Sequence, residues 1–291
     1  MLYIVSNGST NQYKGRTPSL PMTPYTHRII RHGPKNPVQE HNTGQEAGLD
    51  PARLHLIDEY VHRLSPLYRG KRVAVHGGSL PRAYQTGERI QAILCSQGVD
   101  VGFSIDDLLS PFVGEQGRIN LMPARFPRLW GEAQKEGNPD KEDAGLQAWV
   151  ETGVDTNFDG DGITLREIAY RIGKHILRSI EEYRQGNTLH RISVSHSGFI
   201  EPWVYLVLQA RDHNGKSLLH YWEKTDGALF PLTGVQLLYQ KTHQSFTLVS
   251  PQGESTIIDL GILQDQREWL RAHGKADTIL QQRLGKQGAS S

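Results

Sequence analysis

Residues 27–34 read His27-Arg28-Ile29-Ile30-Arg31-His32-Gly33-Pro34. A short apolar run that breaks at Gly-Pro predicts a strand followed by a turn, and here the turn carries an arginine and a histidine. The same pattern recurs twice. Residues 71–75 predict a strand ending at His76-Gly77-Gly78, with Arg82 near the start of a helix over 81–96. Residues 191–194 predict a strand entering Ser195-His196-Ser197-Gly198, with a helix over 200–210 behind it. Helical spacing also marks 52–67 (Leu54, Ile57, Tyr60, Val61, Leu64) and a segment from Thr164 to about Tyr183. Thr164 and Glu167 stand at capping-box spacing. Two late strands are expected at 236–239 and 246–249, then a charged helix over 265–284. Strand-helix alternation of this kind predicts an α/β fold, a three-layer α/β/α sandwich on a mostly parallel central sheet.

In an open α/β sheet, ligands sit beyond the carboxyl ends of the strands. Arg31, His32, Arg82 and His196 would therefore meet at one spot, although the sequence separates them widely. Arginine offers a planar fork of donors that matches phosphate oxygens. A neutral imidazole is a nucleophile and a protonated one is a further donor. The predicted site is a cradle for a phosphoryl group.

Composition narrows the alternatives. The chain has 291 residues, with 32 basic and 31 acidic side chains and a formal charge of +1. No overall field would draw it to nucleic acid or to an anionic membrane, so neither partner is expected. The longest apolar run, 203–208, is far shorter than the ~20 residues that cross a bilayer. The start of the sequence has no basic segment followed by a long apolar one, so a soluble, cytoplasmic protein is expected. Cys95 is the single cysteine, which excludes an internal disulfide framework and a multi-thiolate metal site.

The three turns resemble the motifs of the histidine phosphatase superfamily, the phosphoglycerate mutase-like proteins. HRIIRHGP matches its Arg-His-Gly signature, and Ser79-Leu80-Pro81-Arg82-Ala83-Tyr84-Gln85-Thr86 matches its S-x-L-x-R-A-x-x-T stretch. Val194-Ser195-His196-Ser197-Gly198 matches its V-S-H-G-like turn, and Gly162-Ile163-Thr164 through Arg171 loosely follows a further helix start. The resemblance covers about residues 27–210. It implies a phosphoglycerate mutase-like fold and an enzyme that transfers or hydrolyses phosphomonoesters, with no metal and no cofactor. His32 would attack phosphorus, while Arg31, Arg82 and His196 hold the phosphoryl oxygens. Gly33, Asn36, His76 and Ser197 are the expected substrate-binding neighbours. The partner implied is a small phosphorylated substrate, with a homodimer left open.

The chain departs from the pattern in informative places. The carboxylate expected as general acid falls on or near Ser110, leaving Asp107 and Glu115 as the candidates. The serines expected before Ser79 are Gly77 and Gly78. Residues 1–11 also read as a competing first motif in which Arg-His has become Ser6-Asn7. Under that alternative the chain would be a degenerate member that binds a phosphorylated ligand, or a same-fold enzyme with different chemistry. Residues 155–162 resemble the start of a calcium loop, but Arg166 occupies its twelfth place and a solvated turn is expected. The expected division is an N-terminal extension or extra strand over 1–26 and a main domain over 27–250. Within the latter lies a cap at about 118–160 containing Trp130 and Trp149, and 251–291 is a helical tail.

Overall fold

The apolar run ahead of His32 forms β1 (Tyr25–Arg31), and it takes the central place in a seven-stranded sheet. The computed structural model describes residues 24–34, 36, 48–114, 119–123, 153–155, 162–186, 190–196, 198–212 and 231–288. After β1, a 3-10 turn at Pro51–Arg53 leads into α1 (Leu54–Tyr68), β2 (Arg72–Gly77), α2 (Pro81–Ser96) and β3 (Asp100–Ile105). A second 3-10 turn, Asp107–Leu109, precedes a small ribbon of β4 (Phe112–Val113) and β5 (Ile119–Asn120). Then come α3 (Leu165–Arg184), β6 (His190–Ser195), α4 (Ile200–Asp212) and β7 (Gly234–Tyr239). The chain closes with β8 (Ser245–Val249), β9 (Ser255–Asp259), α5 (Gly261–His273) and α6 (Ala276–Gly288).

The sheet order is β3-β2-β6-β1-β7-β8-β9. Strands β3, β2, β6 and β1 run parallel, and β7 to β9 continue from β1 as an antiparallel meander. Register brings the predicted turns level. Arg31 pairs with Ser195, and Gly77 pairs with Val194. Strand β1 thus ends in the Arg-His-Gly turn, beside β6 and its Ser-His turn.

Alternation along the strands builds a core on each face. Ile30, Val73, Val75, Ile192 and Val194 pack against Ile57, Val61 and Leu64 of α1 and Ala83, Ile90 and Leu94 of α2. On the other face, Tyr25, Ile29 and Leu237 meet Ile168, Ile172, Ile176 and Ile180 of α3 and Trp203 and Val207 of α4. Strand β6, covered by helices on both faces, is buried at every residue. Each fully buried aliphatic side chain contributes about 1.5–3 kcal/mol, so the two cores stabilise the sheet from both faces.

Thr164 caps α3 by accepting from the Glu167 N–H at 3.1 Å, as its spacing predicts. The Glu167 carboxylate does not return to the cap. It accepts from the N–H groups of Lys275 and Ala276 at 2.8 and 2.7 Å, at the start of α6. The single helix expected over 265–284 is therefore two, broken at Gly274 and Lys275. The expected helical tail also opens with a strand, β9, paired to β8. Its five residues form an edge with Ile257 69% exposed, too short and too open to give a clear apolar alternation. Strand β3 and the β4–β5 ribbon are likewise additional to the expected elements.

Asp155 is held by both Nε and Nη2 of Arg166, the latter at 2.9 Å, so a cation of the chain neutralises the first position of the calcium-like loop. Ser6, Asn7, Trp130 and Trp149 lie outside the described residues, as does most of the expected cap. Among the described residues, no helix is long and apolar enough to cross a membrane.

Candidate active site

His32 leaves β1 with its backbone N–H donating to the Ser195 carbonyl at 3.0 Å, which ties the two turns together. Its ring is buried, 3% exposed. Nδ1 lies 2.6 Å from the Gly33 carbonyl oxygen, and a carbonyl can only accept, so Nδ1 carries the proton. Arg82 Nε lies 3.0 Å from Nε2 and can only donate, so Nε2 carries the lone pair. These two contacts define one neutral tautomer. Burial, then the charge of Arg82, the His196 ring and the charge of Arg31, hold the His32 pKa well below its ordinary value.

The neighbours of His32 explain how local sequence sets this geometry. Pro81 starts α2 with a ring that suits the first helical turn. One turn further on, Thr86 Oγ1 donates to the Arg82 carbonyl at 2.6 Å and accepts from the Gly33 N–H at 2.9 Å. The helix that delivers Arg82 therefore also holds the N–H of the residue whose carbonyl orients His32. Gly33 must be small here, because a Cβ would fall 2.7 Å from Ile57 Cδ1.

His196 completes the cluster. It is 3% exposed, its ring centroid is 5.1 Å from that of His32, and neither ring nitrogen has a hydrogen-bond partner among the described residues. Burial and the charges of Arg82 and Arg31 keep it neutral, well below the ordinary histidine value. A buried imidazole with two unsatisfied nitrogens is costly unless a ligand oxygen supplies a partner. Gly78 forms an adjacent wall. A Cβ there would sit 3.6 Å from His196 Nε2 and 3.2 Å from Ser110 Cβ.

Arg31, His32, Arg82 and His196 are thus brought together, and Gly33 joins them through its backbone. Asp107 lies on the turn after β3, where it accepts a short hydrogen bond from Ser79 Oγ, and Arg171 Nη2 donates to its carbonyl at 2.6 Å. Ser79 directly follows Gly78, so Asp107 sits beside the cluster. Ser110, at the position aligned with a carboxylate, is buried and accepts from the Phe112 N–H at 3.0 Å. Glu115 and Ser197 lie outside the described residues. Asn36 follows on the loop after Pro34, its N–H donating to the Gly48 carbonyl at 3.0 Å.

His76 takes a different place from the one expected. It faces α3, with Nδ1 2.9 Å from Ser104 Oγ and Nε2 accepting from Arg191 Nη1 at 2.9 Å. Both ring nitrogens are occupied, and its pKa is lowered to about 3, mainly by burial and by the His175 ring. The reason is strand alternation: Val75 packs toward α1 and α2, so His76 turns to the opposite face, under α3. Ser79, Thr86 and Ser110 also adjoin the cluster, although the sequence reading names them only as motif positions and gives them no role. Of these, only Thr86, one helical turn after Arg82, had a spacing that could have shown it.

The architecture is a three-layer α/β/α sandwich with arginine- and histidine-bearing turns gathered at one edge of the sheet. No family model matches the chain, and no curated protein matches it. Solved structures do. A mycobacterial glucosyl-3-phosphoglycerate phosphatase aligns with a TM-score of 0.46 at 14% identity, covering 74% of this chain and 90% of that one. Phosphoserine phosphatase from Entamoeba histolytica, in complex with 3-phosphoglyceric acid, gives 0.43 at 13%, covering 80% and 96%. Phosphoglycerate mutase from Bacillus anthracis gives 0.45 at 13%, covering 84% and 97%.

Proposed function

We propose that this protein is a metal-independent phosphomonoester hydrolase that acts on a small phosphorylated metabolite through a phosphohistidine at His32. The observation that carries the reading is the His32 ring, neutral, buried, anchored at Nδ1 by Gly33 and bearing its lone pair at Nε2. A protein that only bound phosphate would be served as well by a protonated imidazole. An aimed lone pair is what attack on phosphorus requires.

In the first step, the Nε2 lone pair forms a bond to phosphorus and the bond to the ester oxygen breaks. Arg82, now against the lone pair, turns its donors onto the phosphoryl oxygens, joined by Arg31 and by an N–H of His196. Fixed donors of this kind are each worth about 3 kcal/mol where charge spreads over the transferred group. Asp107, held by Ser79, gives a proton to the departing oxygen. In the second step, water attacks phosphorus, the P–N bond returns its electron pair to Nε2, and the proton lost by water restores Asp107. The products are an alcohol and inorganic phosphate.

Hydrolysis of para-nitrophenyl phosphate by the purified chain, with and without EDTA, tests the reading. Turnover insensitive to EDTA and abolished in His32→Ala is expected. Wild-type activity in His32→Ala would refute the assignment.

A further inference from the structure

The face of the sheet under α3 holds a buried polar chain that the reaction above does not use. His27 of β1 and His175 of α3 are both fully buried, and both direct Nε2 at Ser193 Oγ of β6, at 2.7 and 2.8 Å. His175 Nδ1 lies 2.7 Å from Asp106 Oδ2, which also receives Arg178. A core built for packing alone would place aliphatic side chains here, as the other face does.

The 2.7 Å contact with Asp106, much shorter than the 3.3 Å approach of Arg178 Nη2 to the same nitrogen, sets the donor and acceptor roles in this chain. Asp106 is held below the usual carboxylate range by the His175 and Leu108 N–H groups and by Arg178, against the opposing effect of burial, so it is an acceptor only. His175 must therefore carry its proton on Nδ1. Burial keeps its ring neutral, which leaves a lone pair on Nε2. Ser193 donates to that lone pair and accepts from His27 Nε2–H. The directed sequence is His27 to Ser193 to His175 to Asp106. It is enclosed by the rings of His27 and His76, 5.2 and 5.3 Å from that of His175, and by Arg178, Arg191 and Glu182.

The chain ends on the turn that borders the candidate active site. Asp106 accepts from Leu108 N–H at 3.0 Å through Oδ1 and from Leu109 N–H at 3.0 Å through its carbonyl, which winds the turn. That turn carries Asp107, and it continues to Ser110 beside Gly78 and His196. Arg171, His175 and Arg178 lie at i, i+4 and i+7 on α3, one face of a helix, and all three grip residues 106 and 107.

We propose that His175 is a positioning residue. Its Nδ1–H on Asp106, fixed in tautomer by Ser193 and His27, sets the turn so that Asp107 meets the leaving oxygen. The proposal rests on the phosphohydrolase reading with Asp107 as proton donor. A side chain that acts through the acid matters most where the leaving group needs a proton.

The test compares wild type, His175→Leu, His175→Asn and Ser193→Ala on para-nitrophenyl phosphate and on glycerol 2-phosphate, with folding followed by circular dichroism. The nitrophenolate leaves without help, whereas the alkoxide does not. His175→Leu is expected to lose about tenfold or more in kcat on glycerol 2-phosphate relative to para-nitrophenyl phosphate, with little change in KM. His175→Asn, whose amide can still donate to Asp106, is expected to recover most of that selective loss. Ser193→Ala, which frees the tautomer, is expected to show a smaller loss with the same selectivity, and it serves if His175→Leu does not fold. Equal losses on both substrates in these variants, or no selective loss in any of them, would overturn the positioning role. Failure of the parent reading looks different: wild type would hydrolyse neither ester, or His32→Ala would hydrolyse both.

Discussion

The Nδ1 atom of His32 lies 2.6 Å from the carbonyl oxygen of Gly33, its own neighbour in the chain. That contact turns a buried histidine into a nucleophile of defined tautomer, and it depends on a residue small enough to sit against Ile57. Gly33→Ala would place a Cβ 2.7 Å from Ile57 Cδ1, the flexible end of a side chain, so the fold survives with a modest loss of Tm. The carbonyl must shift to make room. A fall in kcat of about tenfold is expected, since displacements of ~1 Å at a reacting centre cost up to about a hundredfold. Steady-state kinetics beside a thermal melt separates the two effects.

Arg82 Nε contacts the His32 lone pair at 3.0 Å and is placed to follow the charge onto phosphoryl oxygens. Arg82→Ala should lower kcat by about a hundredfold to a thousandfold, the loss typical of one fixed donor to a developing charge. Arg82→Lys should recover little, because an ammonium cannot reproduce the planar fork. Single-turnover rates with the three proteins check this.

Both site histidines are held neutral by burial and by the two arginines. The attacking form is therefore already present at pH 7, and kcat/KM should fall on the acid side only well below pH 6.5. In Arg82→Ala the largest cationic contribution to His32 is gone, and the acid limb should move toward higher pH. A pH–rate profile of the free enzyme reads this directly.

The same burial makes stability pH-dependent, with a definite sign. His76 is lowered to about 3 and His190 to about 4, in both cases chiefly by desolvation, and His27 and His175 are lowered too. The unfolded chain binds these protons below about pH 6.5 and the folded chain does not, so stability is lost as pH falls. Each such histidine costs up to about 1.4 kcal/mol per pH unit in that window. Tm should drop steadily from pH 7 to pH 5, and less steeply in His76→Gln.

Sequence patterns carried the frame of this site but not its support. Strand β1, helix α2 and the His196 turn each announce themselves locally, because an apolar run meets a glycine turn within a few residues. Their meeting follows from the rule that parallel strands end at one edge. The place of His76 was not legible in this way, since one step of strand alternation carries it to the face under α3. Asp106, His175 and Ser193 were harder still. They come from a turn, a helix and a strand, and each alone reads as an ordinary core or surface residue. Only the folded chain shows that they share one hydrogen-bonded line.

Gly78 tests the shape of the site. A Cβ at this position would stand 3.6 Å from His196 Nε2 and 3.2 Å from Ser110 Cβ. Gly78→Ala should fold, because these are close rather than forbidden contacts, but it narrows the space beside His196. A severalfold rise in KM for phosphomonoesters, and in the inhibition constant of inorganic phosphate or vanadate, is expected. An unchanged KM would place the substrate elsewhere.

The central claim is that His32 Nε2 becomes bonded to phosphorus during turnover. Rapid mixing with substrate, a quench that preserves the acid-labile P–N bond, proteolysis and mass spectrometry test it most directly. The account predicts a phosphorylated His32 in the peptide that contains it, formed at a rate no slower than kcat and absent from His32→Ala. Steady turnover with no phosphohistidine formed, or with the phosphoryl group on His196, would contradict it.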